Sequence, residues 1–334
     1  MIEKELNNLK RVKDEGFKYF RAVSDYLNNF PELVNQEIMD EIGGGVSLNT
    51  ENTFALFLAN ALFDDEKEIK FYEHEYLRKG IKCLDDEKYE ENPYFKSIKI
   101  PSVDLGNWTL GYQCYKPYEG FVRNDISVLE NYREIISLGY FTKEFKFPTV
   151  FENGVEWMAI KPNEIETMKP HIEKMRGNVA VFGLGIGYFA YMISEKSNVD
   201  KITVIERDES VIELFKSHIL PQFPNKDKII IVKADAFDFA KNQMKDKGFN
   251  CAFVDLWHDV SDGVDMYIKM RKLEKNAPGT EFCYWIEKSI LSNIRWQVFD
   301  GIYQKAKMGQ FEGTAADVKK YLSDGYLREL VKLF

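Results

Sequence analysis

Four short apolar or β-branched runs between residues 179 and 254 constrain this chain more than anything else in its sequence. They are VAVF at 179–182, ITVI at 202–205, IIIV at 229–232 and CAFV at 251–254, each continuous rather than alternating. A strand with one wet face alternates apolar and polar residues; one that is apolar throughout is buried on both faces, as in a parallel sheet covered by helices. Helical stretches separate the runs, and FCYWI at 282–286 offers a fifth strand. Parallel strands need crossover connections, and those are right-handed, which makes an open, doubly wound parallel sheet the economical α/β topology.

The chain before this pattern has a different character. Over residues 1–90, Leu6, Leu9, Val12, Phe17, Phe20 and Val23 recur near helical spacing among charged residues, and a helical lobe is expected. Pro31 opens a further segment, Gly43-Gly44-Gly45 breaks it, and Asn49 or Thr50 can cap the apolar helix at 54–63. That helix is interrupted by Asn60 and is half the roughly 20 residues needed to cross a bilayer, so it reads as buried, with no membrane partner. From 98 to 160, aromatic and β-branched runs such as WTLGY at 108–112 and FPTVF at 147–151 predict short strands. Asn153-Gly154 predicts a tight hairpin turn, and 128–136 reads as one more helix. Residues 289–307 and 315–334 also read as helices, with no closing antiparallel strand pair. The expected organisation is a lobe over 1–145 and an α/β domain over 146–334.

Charge and cysteine usage narrow the function classes. With 45 Lys and Arg against 54 Asp and Glu among 334 residues, the formal net charge of −9 repels phosphate backbones, so nucleic acid is not an expected partner. Cys83, Cys114, Cys251 and Cys283 are scattered without paired spacing, which fits a reducing compartment with neither a disulfide framework nor a metal site. The polar start MIEKELNNLK lacks the apolar stretch of a secretory signal, and a cytoplasmic location is expected.

Each chemically suggestive residue falls just past the end of one of the four runs, where an open α/β sheet presents its binding crevice. After the first run comes Gly183-Leu184-Gly185-Ile186-Gly187-Tyr188, a turn whose glycines let a ligand approach the backbone. A dinucleotide fingerprint needs Gly or Ala at the position of Tyr188, so this turn suits a ligand without a pyrophosphate. Glu206 ends the second run, 19 positions after Gly187, where a carboxylate can accept from both ribose hydroxyls or simply open the following helix. Asp235 follows the third run and can either take a hydrogen bond from an adenine amino group or cap the next helix.

With these residues in view, 145–260 resembles the class I S-adenosylmethionine-dependent methyltransferases, and within that superfamily it is most similar to the spermidine synthases. The stretch VDKITVIERDESVIEL at 199–214 follows the way that family writes its second strand and next helix, and PNEIETM at 162–168 falls where it places a helix before the glycine turn. The resemblance implies S-adenosylmethionine as cofactor. It assigns Gly183, Gly185 and Gly187 to the methionine side, Glu206 to the ribose, and Asp235 with Ala236 to the adenine. Two departures matter. Aminopropyltransferases of that branch carry an acidic residue where this chain has Ile186. They also follow the fourth strand with Asp-Ser-Ser-Asp or a close variant, whereas this chain reads Asp255-Leu256-Trp257-His258. Ordinary S-adenosylmethionine is therefore expected rather than its decarboxylated form.

Methyl transfer is an in-line displacement, so the protein mainly aligns the acceptor and removes its proton. Asp255 and His258 are the candidate catalytic pair, with Trp257 as a wall against a cationic sulfonium. Glu164, Lys161 and Tyr188 are further residues that can reach the ligand. The expected activity is a methyltransferase acting on a small molecule or a protein side chain. A spermidine-synthase-like aminopropyltransferase and a non-catalytic scaffold are the alternatives, and a homodimer through the hairpin and helical lobe is an expectation.

Overall fold

The computed structural model describes residues 2–43, 50–245 and 247–333. Gly44, Gly45 and Asn49 of the expected break and cap lie outside the described residues. The chain forms two compact units, neither continuous in sequence. One comprises 1–89, 114–146 and 298–320; the other comprises 90–113, 147–297 and 321–334. The chain passes from one unit to the other between Lys146 and Phe147, and 90–113 and 298–320 each belong with the unit on the other side of that step, so the units are not the two continuous stretches expected.

The first unit is built on the amphipathic helix Ile2–Asn29, whose buried stripe includes Leu6, Leu9, Val12, Tyr19, Val23 and Tyr26. Helix Thr50–Leu62 buries Phe54, Ala55, Leu58 and Ala59, as its apolar run requires. Its core is unusually aromatic: Phe54 stacks on Tyr140 with ring centres 4.4 Å apart, and Tyr19 lies 4.5 Å from Tyr76. Glu134–Tyr140 is the central strand of a three-stranded sheet, flanked by Lys82–Cys83 and Phe121–Val128.

The helix expected over 128–136 is absent. Val128 ends one strand, Glu134 begins its antiparallel partner, and Tyr132, at φ +64°, turns the chain between them. Leu129 donates its backbone N–H to Arg133 and Asn131 accepts from the Arg133 N–H, so local turn bonds close the hairpin. Every residue of Glu134–Tyr140 is buried, and a strand covered on both faces loses the alternation that separates it from a helix in sequence.

The second unit carries the parallel sheet. Its strands are β1 (Gly177–Phe182), β2 (Val199–Glu206), β3 (Ile229–Lys233), β4 (Cys251–Val254) and β5 (Glu281–Tyr284). All are parallel, in the order β3-β2-β1-β4-β5, a Rossmann-like α/β arrangement. The last four residues of β1 and all four of β4 are buried, which requires cover on both faces. Strand β3, at the edge, leaves Ile230 42% exposed. From β1 the chain steps outward through β2 to β3, then crosses back to place β4 on the other side. Under the right-handed crossover rule those two directions put helices on opposite faces and open a crevice between β1 and β4.

A four-stranded sheet, Val103–Leu105, Trp108–Tyr115, Phe145–Glu152 and Val155–Ala159, antiparallel within its first and its last pair of strands, precedes it. Glu152 pairs with Val155, so the two-residue turn is Asn153-Gly154, with φ of +52° and +79° as the expected hairpin demands. Helix Pro162–Lys174 leads into β1. After β5 the chain is helical through Glu287–Lys307, Ala315–Tyr321 and Asp324–Leu330. Among the described residues no helix is long and apolar enough to cross a membrane.

The face-to-face stack of Phe253 on Phe189, with ring centres 3.8 Å apart, joins β4 to the helix Tyr188–Ser194 after the glycine turn. Phe253 is fully buried. Phe253→Ala should destabilise this unit by about 3–5 kcal/mol, the usual cost of truncating a buried aromatic. A lowered urea midpoint with an unchanged slope is the expected result.

Candidate functional site

The glycine turn is held from several sides. Gly183 donates its backbone N–H to the Ile205 carbonyl at 3.0 Å, and Asp255 donates to Phe182 at the same distance, so the ends of β1, β2 and β4 are tied together. The Leu184 N–H donates to Glu206 Oε2 at 3.2 Å, and the Tyr94 hydroxyl donates to the Ile186 carbonyl at 2.6 Å. Gly183, Gly185 and Gly187 all adopt left-handed φ, +98°, +51° and +75°. Their surroundings differ. A Cβ on Gly183 would fall 2.1 Å from the Asp255 carbonyl oxygen, and one on Gly185 would fall 2.0 Å from Met158 Sδ. Gly187 packs against the Phe215 ring as the residue capping helix Tyr188–Ser194.

A cavity of about 600 Å³ opens at this point, within the size range of small-molecule sites. Gly183, Gly185, Glu206, Asp235, Ala236, Asp255 and His258 all line it; Gly187 is not among its walls. The structure therefore brings together seven of the eight residues expected for the cofactor and the catalytic pair, and with them Trp257, Glu164 and Lys161, while Tyr188 is not among the walls. The hairpin strand Val155–Ala159 and the helix Pro162–Lys174 add a wall, with Met158 and Trp157, which the sequence did not single out, beside Asn163 and the Glu164 that it did.

Glu206, at the end of β2, accepts from the Arg207 and Asp208 amides through Oε1 and from Leu184 through Oε2. A carboxylate has about four lone-pair sites, so one on Oε2 is left for a ligand hydroxyl. Asp235 caps helix Ala236–Asn242 by accepting two amides, Phe237 and Asp238, both on Oδ1. Its Oδ2 is left for a ligand, so capping and binding are compatible on one side chain. Two buried polar atoms on the cavity-lining residues, Asn163 Oδ1 and Trp257 Nε1, have no partner among the described residues. Unpaired buried polar atoms are costly, and a ligand that pairs them recovers that cost. These residues fit an adenosyl ligand.

Charge distinguishes this cavity further. Eight carboxyl groups line it, those of Glu152, Glu156, Glu164, Glu206, Asp208, Asp235, Asp255 and Asp262, against two fixed cations, Lys161 and Arg207. Lys161 is already ion-paired to Glu156. A pyrophosphate or a phosphorylated ligand would meet repulsion here, whereas a cation is welcome.

Asp255 and His258 occupy different settings. Asp255 sits at the cavity wall, where burial pushes its carboxyl up to about 7. Glu164 is raised well above the usual carboxylate range, first by burial and then by the charge of Asp255, with Lys161 opposing. His258 is at the exposed rim: its backbone N–H donates to the Asp262 carboxylate, and its Nδ1 lies 3.8 Å from Asp259 Oδ2. Its ring is 6.4 Å from Trp157, itself 5.9 Å from Trp108 in an edge-to-face pair. Trp257 is buried and nearly parallel to Tyr284, with ring centres 6.4 Å apart. Among the described residues no cluster of three or more His, Cys, Asp and Glu is arranged to hold a metal ion.

The raised Asp255 pKa has a consequence for stability that can be tested. The folded state holds this proton up to about pH 7 while an unfolded aspartate releases it near its usual 3.8, so stability falls as pH rises through that window and then levels off. Asp255→Asn removes the group that titrates. In the ligand-free protein the variant should melt at a higher temperature than wild type at pH 8, with the difference shrinking toward pH 4. A variant equally destabilised at both pH values would contradict the assignment.

No family model matches the chain, and no curated protein matches it. Solved structures do. It is similar to the spermidine synthase from Thermotoga maritima, at 13% identity and a TM-score of 0.33, over 44% of this chain and 55% of that one. It is also similar to a spermidine synthase in complex with the transition state analogue AdoDATO, at 14% identity and a TM-score of 0.31, over 41% and 48%. A third is a putative caffeoyl-CoA O-methyltransferase from Staphylococcus aureus, at 17% identity and a TM-score of 0.29, over 47% and 69%. The chain spans about half the length of the two spermidine synthases it matches. Likeness this distant carries no weight for the activity.

Proposed function

We propose that this chain is an S-adenosylmethionine-dependent methyltransferase, acting on a small molecule or a protein side chain. The observation that carries the reading is the acidic cavity at the β1/β4 crevice, into which the glycine turn, Glu206 and Asp235 converge from three consecutive strand ends. Glu206 would hold the ribose, Asp235 and Ala236 the adenine, and the backbone around Gly183 and Gly185 the methionine side. The cofactor, when bound, supplies a methyl group activated on a sulfonium. The chain itself supplies a carboxylate, Asp255, to accept the acceptor's proton, and aromatic walls from Trp157 and Trp257 that suit a cation. His258, exposed at the rim, contacts an incoming acceptor in this reading rather than acting from the floor of the site.

The same acidic lining favours a second reading, aminopropyl transfer to an amine, because carboxylates attract ammonium groups as readily as a sulfonium. Opposing it, the turn has Ile186 where an acidic residue is expected, and that side chain is buried.

Calorimetry separates the readings. S-adenosylmethionine and S-adenosylhomocysteine should bind, more tightly than the decarboxylated analogue, and NAD should not. Glu206→Ala removes the ribose partner and the anchor of the Leu184 amide, and it should weaken S-adenosylmethionine binding roughly ten- to a hundredfold, as losing charged hydrogen bonds does. Preference for the decarboxylated analogue would shift the assignment to aminopropyl transfer. No binding of either methyl-cycle ligand would sink the cofactor reading.

A further inference from the structure

The cavity holds a pair of carboxyl groups that its nucleotide contacts do not use. Glu164 lies in the first turn of helix Pro162–Lys174, Asp255 directly follows β4, and both line the same cavity. Among the described residues no hydrogen bond reaches either carboxylate. Asn163 Oδ1, beside Glu164 in the chain, is a third acceptor without a donor. An anion is normally left inside a protein only with a donor or a counter-ion, and this group of acceptors has little of either. Lys161, the cation that opposes the raised Glu164 among the described residues, is engaged by Glu156 on the strand Val155–Ala159. Glu156 is a further carboxylate whose charge raises Glu164, and the Tyr188 phenol, which also feels Glu164, is itself held neutral, pushed up to about 12 mainly by burial.

We propose that Glu164 and Asp255 form one proton-holding unit at the cavity wall, and that a sulfonium entering the cavity displaces its proton. The inference rests on the cofactor reading above and goes beyond it by adding Glu164 and by linking binding to proton release. Two carboxylates that feel each other in a shielded site cannot both ionise cheaply, so the pair retains a proton at neutral pH. A cation placed among them supplies the missing counter-charge, and the ionised form becomes the stable one. The proton leaves to solvent and Asp255 is left as a carboxylate able to accept another. S-adenosylhomocysteine has the same adenosine and amino-acid groups but a neutral sulfur, so it lacks the charge that expels the proton. The pair thus distinguishes methyl donor from demethylated product by charge.

The test measures protons rather than turnover. Wild-type full-length protein is titrated at pH 7 with S-adenosylmethionine and with S-adenosylhomocysteine, each in phosphate and in Tris, whose different protonation enthalpies give the number of protons exchanged. The donor should release roughly one proton more than the product, and its affinity should rise by up to about tenfold per pH unit near neutrality relative to the product's. In Glu164→Gln the difference in proton count should shrink by half or more. Equal proton counts for the two ligands on wild-type protein overturn the pair while leaving the cofactor reading intact, and this arm needs no variant to fold. Binding of neither ligand overturns both. If Glu164→Gln does not fold, Asp255→Asn answers the same question, and an undiminished difference in either variant would also overturn the proposal.

Discussion

The pairing of β1 with β4 is the constraint on which the site depends. Residues before that pairing step the sheet one way, residues after it step the other way, and the crevice at the reversal is where backbone ends without a covering crossover. The pairing must continue past the strands, because the Asp255 N–H donates to Phe182 and its carbonyl oxygen lies against Gly183. A side chain at 183 would collide with that oxygen at 2.1 Å, so glycine there is demanded by the sheet before any ligand is considered. The same closeness delivers the Asp255 carboxyl to the cavity. Fold and chemistry therefore meet at one backbone contact.

That contact also explains which parts of the site were legible in the sequence. Buried strands announce themselves as continuous apolar runs, and everything tied to a strand end could be located by counting from them: Gly183, Glu206, Asp235 and Asp255. The hairpin at Asn153-Gly154 was equally plain, since few dipeptides accept two positive φ values. Glu164 was visible as a residue able to reach the ligand or simply to open a helix, without a role of its own. Its significance arises from Asp255, distant in sequence and facing the same cavity, and from burial, neither of which has a local signature. Met158 and Trp157 were hidden for the same reason, because the strand bearing them was read as one arm of a hairpin and not as a wall of the site. The strand Glu134–Tyr140 was misread because full burial removed its alternation.

The three glycines are a caution against treating such a turn as a single device. Gly183 makes room for the Asp255 backbone, Gly185 for the Met158 thioether, and Gly187 for the Phe215 ring. Each positive φ is used to bring protein against protein, so the turn's spacing reports how tightly β1, β4, the hairpin and the following helices pack. It says less about the ligand. A sequence with the same three glycines and a basic cavity would be folded alike and bind something else.

What selects the ligand class is then the charge of the walls. Eight carboxyl groups around about 600 Å³, with one of two cations already paired, set a negative potential that no backbone turn could reverse. Such a lining carries a cost of its own, because carboxylates drawn close together resist ionising one another, as Glu164 does beside Asp255. Glu164 and Asp255 are the lining carboxyls that burial raises and that no hydrogen bond reaches among the described residues, and they are where that cost accumulates. A cavity of this kind is matched to a ligand carrying positive charge away from any phosphate, and its affinity is coupled to protons by the same electrostatics that make it selective.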